Sequence, residues 1–321
     1  MEPCSLAMKI QNQRRKKEKM RIEEFTEKVR DAVEKELGNG YRVEAKGVRK
    51  NNGVILHGLM VLEEGQNVAP TIYLDTFLEA YESGATFMSV LNRLLDICRM
   101  EAEKKGIDME FFRLFEEVRD RICYRLIRKE GNEGLLEDMP YIGFLDLAIC
   151  FYYAYHGEAL GDGTVLIHNS HMELWGTCTV ELFGLAKRNT KRLFPWTCQS
   201  MVEVLREMAG QDAETEDAAG QDAFLQEAQM KVLSNTRRID GAVCILYPGV
   251  LESLAREEGH DLYILPSSMH EVILLPDTGA PSAEELKRMV REVNDTQVAP
   301  EEVLSYSLYR YRRTDGRVTI V

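Results

Sequence analysis

From Ile22 onward the apolar residues Phe25, Val29, Val33 and Leu37 recur at helical spacing until Gly38-Asn-Gly40, so the pattern predicts one amphipathic helix and its stop. Tyr41 to Val48 and Val54 to Leu62 are β-rich runs joined across Asn52-Gly53. That junction is a hairpin signal, because both residues tolerate positive φ. Pro70 to Leu74 adds a short strand. Phe87, Val90, Leu91, Leu94, Leu95 and Cys98 mark a second helix, and Phe111, Leu114, Phe115 and Val118 a third.

Further along, Ile122 to Ile127, Leu145 to Tyr155 and Thr164 to His168 are rich in β-branched and aromatic residues and read as strands. Leu182, Leu185 and Ala186 sit on a following helix. Ala242 to Leu246 predicts a strand, and Pro248 opens a helix that Gly259 ends. Leu262 to Leu265 and Glu271 to Leu275 pair as a hairpin. Ser282-x-x-Glu285 is a capping box ahead of Leu286, Met289, Val290 and Val293. Strands at Tyr306 to Tyr311 and Arg317 to Val321 complete an α+β fold of hairpins and mixed sheet with interspersed amphipathic helices.

Composition divides this pattern. The 321 residues carry 53 acidic and 40 basic side chains, a net charge of −13, which argues against general nucleic-acid binding by the folded body. Residues 1–19 run the other way, with six basic side chains against two acidic, and read as a basic disordered extension. Within 209–227 the pentad Ala-Gly-Gln-Asp-Ala occurs at 209–213 and again at 219–223, amid six acids and no base. So acidic a segment, with little to bury, reads as a linker between an N-terminal α+β lobe, 20–208, and a C-terminal α+β lobe, 228–321. The seven cysteines are scattered and never spaced Cys-x-x-Cys, the usage of reduced cytoplasmic thiols. The most apolar stretch, Tyr141 to Tyr155, is interrupted by Asp146 and is too short to span a membrane, so no membrane partner is expected.

Several clusters could carry chemistry. His168, His171 and Glu173, with Cys178 close by, offer zinc-ligand types, but their spacing fits neither His-x-x-Glu-His nor His-Glu-x-x-His. The competing reading is a strand end at His168 and a helix start near Ser170, with His171 and Trp175 on one face. Ser268 and His270 offer a hydroxyl and an imidazole for nucleophilic catalysis, although on a strand Glu271 would face away and could not complete a triad. Gly161-Asp-Gly163 lacks the Lys-Ser/Thr of a phosphate loop, and no cofactor is expected. Arg14, Arg15, Lys16 and Lys17 in the extension, and Arg310 and Arg312 among Tyr306, Tyr309 and Tyr311, are the candidate nucleic-acid contacts.

Longer phrases carry a resemblance. Lys50-Asn-Asn-Gly-Val-Ile-Leu-His-Gly58, Asn67-Val-Ala-Pro-Thr-Ile-Tyr-Leu-Asp75, Phe144-Leu-Asp-Leu-Ala-Ile149, Leu246-Tyr-Pro-Gly-Val-Leu251, Asp261-Leu-Tyr-Ile-Leu-Pro-Ser-Ser268 and Asn294-Asp-Thr-Gln-Val-Ala-Pro300 resemble an uncharacterised bacterial domain-of-unknown-function family. The likeness runs from about Met20 to about Arg313 and leaves the extension and the duplicated segment aside. It implies an intracellular bacterial module with no catalytic residue to carry over. The expected function is a non-catalytic binding or regulatory protein, with a protein as the expected kind of partner. A hydrolase using His with Ser or a metal is the alternative, and nucleic-acid association through the basic arm a third reading.

Overall fold

The structure is a computed structural model that describes residues 20–64, 69–102, 110–157, 161–209, 229–279 and 281–321. The basic extension 1–19 and nearly all of 209–227 lie outside these residues. The chain divides into two compact units, one containing the described residues within 1–50, 55–108 and 157–160, the other those within 51–54, 109–156 and 161–321.

The first unit is a helix-backed antiparallel sheet. Helix α1 (Ile22–Leu37) leads into β1 (Tyr41–Arg49), which pairs with β2 (Ile55–Glu63) from Tyr41↔Glu63 to Arg49↔Ile55. Strand β3 (Thr71–Tyr73) joins the other side of β2, followed by α2 (Asp75–Glu82) and α3 (Phe87–Ala102). The helical stripe read from the sequence is the buried one: Phe25, Val29 and Val33 pack with Leu59, Leu74, Phe77, Leu91 and Leu94. A Cβ on Gly58 would lie 2.4 Å from the Thr71 side chain, so β3 reaches β2 closely only because that position is glycine. The His57 N–H donates to Asp75 at 2.7 Å, tying β2 to the first residue of α2.

The second unit holds two sheets. In one, β4 (Ile122–Arg128) and β5 (Tyr141–Phe144) flank β6 (Leu147–Gly157), with β7 (Gly161–Leu166) also on β6. Helices α4 (Phe115–Val118), α5 (Glu133–Leu136), α6 (Asn169–Trp175) and α7 (Thr179–Leu193) surround it in sequence. The other sheet uses β8 (Trp196–Ser200), β9 (Lys231–Asn235), β10 (Leu262–Ser268), β11 (Glu271–Pro276), β12 (Tyr309–Arg312) and β13 (Arg317–Ile320) in the order β13-β12-β10-β11-β9-β8. Helices α8 (Met201–Ala209), α9 (Val250–Glu258) and α10 (Ala283–Thr296) complete the unit. Strand pairs of described register are antiparallel throughout.

Strands β10 and β11 are buried on both faces, which explains their unbroken apolar runs. Leu262, Ile264, Val272 and Leu274 join the largest core with Ile122, Phe151 and Tyr309. Tyr263, Leu265 and Leu275 face Leu286 and Val290 of α10 in a separate cluster. Ala242 to Leu246 is not the strand its composition predicts. It forms a 3-10 helix (Gly241–Leu246) whose Ala242, Val243, Cys244 and Ile245 are all buried, so tertiary packing on every side overrides the β preference of Val243 and Ile245. The helix predicted around Phe111 to Val118 is likewise broken, into a 3-10 turn (Glu110–Arg113), α4 and a second 3-10 turn (Arg119–Arg121).

The acidic segment does not mark the boundary between compact units. Strands β8 and β9 flank it in sequence and pair from Trp196↔Asn235 to Ser200↔Lys231, so the residues before and after it build one sheet. The composition of a segment says nothing about whether the stretches on either side of it share a core.

The Asn52-Gly53 turn is as the sequence predicts, with φ of 60° and 73°. Asn52 is also clamped: its backbone N–H donates to Asn132 Oδ1 at 2.8 Å, and its Nδ2 donates to the Pro300 and Val303 carbonyls at 2.8 and 2.9 Å. Asn132 Nδ2 in turn donates to Asn52 Oδ1 at 2.9 Å.

The capping box of α10 is formed, with the Glu285 N–H donating to Ser282 Oγ and the Ser282 N–H to Glu285 Oε2 at 2.8 Å. Replacing Ser282→Ala should cost about 1 kcal/mol of stability, read as a lower urea midpoint with an unchanged slope.

Candidate functional site

A cavity of about 270 Å³ opens in the second unit where five stretches of chain converge. The 3-10 turn before β4 supplies Arg121, and β6 supplies Tyr152, Ala154 and Tyr155. Gly163 and Thr164 come from β7, Leu193 and Phe194 from the end of α7, and Arg237 and Ile239 from the loop after β9. Among the described lining residues there are two arginines and no carboxylate, the reverse of the net charge of the chain.

The loop 235–240 is held in an unusual conformation by specific bonds. The buried Asn235 side chain accepts from the Arg237 N–H at 3.0 Å and donates to the Ile239 carbonyl at 2.7 Å. Arg238 and Asp240 both take φ of 53°, a left-handed conformation that costs a non-glycine residue of order 1–3 kcal/mol. Gly241 closes the loop where no side chain fits, since a Cβ there would lie 2.2 Å from Ser234 Oγ and 2.4 Å from the His270 carbonyl oxygen. Arg238 reaches outward to Gln199 and Glu207, at 2.9 and 2.5 Å. Strain of this kind persists where the surroundings over-determine it, and here the strained residues alternate with Arg237 and Ile239, which face the cavity.

Arg121 is fixed by its Nε, which donates to the Ala154 carbonyl at 2.5 Å. Its two terminal nitrogens make no hydrogen bond among the described residues, so the end of the fork is open. The exposed Arg237 guanidinium lies over the Phe194 ring, 5.5 Å from its centroid. Ile239 is 54% exposed, an apolar side chain left in water at the rim. Behind Ile239, Asp240 is only 4% exposed, and burial raises its carboxyl pKa against the opposing pull of Arg125 and His270. Burial also raises the Tyr152 hydroxyl and pushes the Cys123 thiol up to about 12, so neither is a nucleophile at neutral pH.

The residues singled out from the sequence lie elsewhere. Ser268 Oγ accepts the backbone N–H of His270 at 3.1 Å, which is a turn interaction and not a nucleophile–base pair. The imidazole Nδ1 of His270 accepts the Asp240 N–H at 3.1 Å, leaving Nε2 to face Glu302 at 3.3 Å. Neither Ser268 nor His270 lines the cavity. They brace its loop from behind.

His168 and His171 do come together, as the start of α6. The His168 N–H donates to His171 Nδ1 at 3.0 Å, and His168 Nδ1 meets Asp138 at 2.8 Å. His171 stacks on Trp175 with ring centroids 5.7 Å apart, and its pKa is lowered, first by burial and then by His168. Glu173 and Cys178 are exposed, and among the described residues no three His, Cys, Asp or Glu side chains are grouped to hold a metal. Capping and stacking absorb these imidazoles. Arg310 is bound to Asp261 and Asp277 at 3.0 and 2.8 Å, and Arg312 to Asp315 at 2.7 Å, while Tyr309 and Tyr311 are buried. The cations of β12 are therefore ion-paired and its tyrosines buried, while the exposed Tyr306 lies before the strand with the Arg128 guanidinium over its ring, 5.3 Å from the centroid. Arg14, Arg15, Lys16 and Lys17 lie outside the described residues.

Fold and site together define an α+β protein with an arginine-marked cavity behind a strained loop. The chain belongs to DUF5688, a family of unknown function, which it matches over residues 22–313, a span that includes every cavity residue. No curated protein and no solved structure matches it. Among the described residues no helix is long and apolar enough to cross a membrane.

Asp240 makes a pH-dependent cost visible. Its folded pKa is raised, so below the ordinary carboxyl value of 3.8 it is neutral in both states and costs nothing extra. Above that value the unfolded chain ionises first, and stability is lost as pH rises. Asp240→Asn should therefore raise the melting temperature at pH 7 and leave it unchanged near pH 3, as measured by thermal denaturation at the two pH values.

Proposed function

We propose that this protein is a non-catalytic cytoplasmic binding protein whose ligand is a small molecule held in the cavity between β6, the end of α7 and the loop 235–240. The observation that carries this reading is the loop itself: two residues held at left-handed φ and a buried carboxylate of raised pKa, all maintained beside a cavity. Stability given up locally in this way is the usual signature of a functional surface. At about 270 Å³ the cavity is slightly smaller than the roughly 300 Å³ at which pockets for organic ligands begin, and its walls are apolar with a few placed polar groups, so it suits a small ligand. Catalysis through Ser268 and His270 has less support, since the ring nitrogens of His270 meet the Asp240 N–H and Glu302 rather than the Ser268 hydroxyl.

Methyl-detected NMR of the full chain against a small-molecule library tests the reading. Bound compounds should shift the methyl signals of Ala154, Leu193 and Ile239 and raise the melting temperature, by about 2.7 kcal/mol of added stability at a hundredfold excess over Kd. Compounds whose shifts cluster elsewhere, or a library with no binder, would overturn it.

A further inference from the structure

Taking the cavity as a binding site, we propose that its ligand is a small organic carboxylate with an apolar body, the carboxylate forked by the terminal nitrogens of Arg121 and the body seated against Tyr155, Phe194 and Ile239. The inference rests on the binding reading above and names the class of ligand. Three features carry it.

First, Arg121 is oriented before any ligand arrives. With Nε committed to the Ala154 carbonyl, the donors left are the two Nη groups at the end of the guanidinium, a planar pair that matches the two oxygens of a carboxylate. Because the side chain is already anchored, little rotamer freedom remains to be lost on binding. Second, the charge is selective. Among the described lining residues no acidic side chain competes for Arg121, in a chain with thirteen more acids than bases.

Third, the rest of the surface is wrong for a hydrated inorganic anion. Leu193, Phe194, Tyr155 and Ile239 offer apolar area, and Ile239 leaves more than half of its surface in water until something covers it. Arginine forks a phosphate as well as a carboxylate, so the discrimination lies in the apolar area that Tyr155, Leu193, Phe194 and Ile239 set beside Arg121. An apolar body with one anionic end satisfies both parts of the wall.

The test compares acids with their neutral amides on the full-length chain: benzoate against benzamide and phenylacetate against phenylacetamide, with inorganic phosphate at matched ionic strength, followed at the Ala154, Leu193 and Ile239 methyls. Each acid should bind at least tenfold more tightly than its amide, since a charged hydrogen-bonded pair is lost in the amide, and phosphate should not displace it. Arg121→Gln should bring the acid down to the affinity of the amide while leaving the amide unchanged. Ile239→Ser, on the exposed loop, should weaken acid and amide by the same factor. The acid-to-amide ratio of the unaltered protein stands even if Arg121→Gln fails to fold.

Equal binding of acids and amides at these methyls would overturn the carboxylate class and leave the binding site standing. Displacement by phosphate at similar concentration would replace the class with a simple anion site. No shift at these methyls with any probe overturns the proposed class, and the library screen then decides the binding reading separately.

Discussion

At Gly241 three groups crowd the space a side chain would need: the Ser234 hydroxyl, the His270 carbonyl and the Asn235 N–H. The end of β9, the turn between β10 and β11, and the start of the 3-10 helix therefore meet at one backbone position that only glycine can occupy. Ser234 seals the junction by donating to the His270 carbonyl at 2.7 Å, and the His270 imidazole accepts the Asp240 N–H. Once these three strands of chain are fixed, the six residues before Gly241 have no freedom to relax, and the left-handed conformations of Arg238 and Asp240 follow from closure. The cavity wall is thus a consequence of a packing contact that never touches it.

Much of the fold was legible because its signals are local. The Asn52-Gly53 hairpin, the α10 capping box, the glycine ending α9 and the stripes of α1 and α3 each depend on residues within a few positions of one another. The 3-10 helix at 241–246 was not legible, because Val243 and Ile245 have strand preferences and only burial against both sheets decides otherwise. Strands β8 and β9 were missed for a related reason. They are short, and what makes them strands is the register they share across a long intervening segment.

The site was almost wholly illegible, and its anatomy explains why. Arg121, Tyr152, Thr164, Phe194 and Arg237 come from separate stretches and form no motif at any fixed spacing. Of the residues that looked chemical, His171, Ser268 and His270 accept from backbone donors at a helix start and a tight turn, and His168 pairs with Asp138. One signal could have pointed to the loop. Thr236-Arg-Arg-Ile-Asp-Gly241 sets two cations and an Asp-Gly pair between the strand Lys231–Asn235 and the apolar Ala242–Leu246, a density of charge unusual beside a buried segment.

The clamp on Asn52 has a chemical side. Asn-Gly is the dipeptide whose side-chain amide is lost most readily to attack by the following backbone nitrogen, so an exposed turn of this sequence ages. Here the amide nitrogen is held by the Pro300 and Val303 carbonyls and the amide oxygen by Asn132. Hydrolysis to Asp would set a carboxylate oxygen against those two carbonyls and leave them without a donor. The bonds that position the turn are therefore also the ones that slow its decay, and a single spontaneous deamidation would turn a fastening into a point of repulsion.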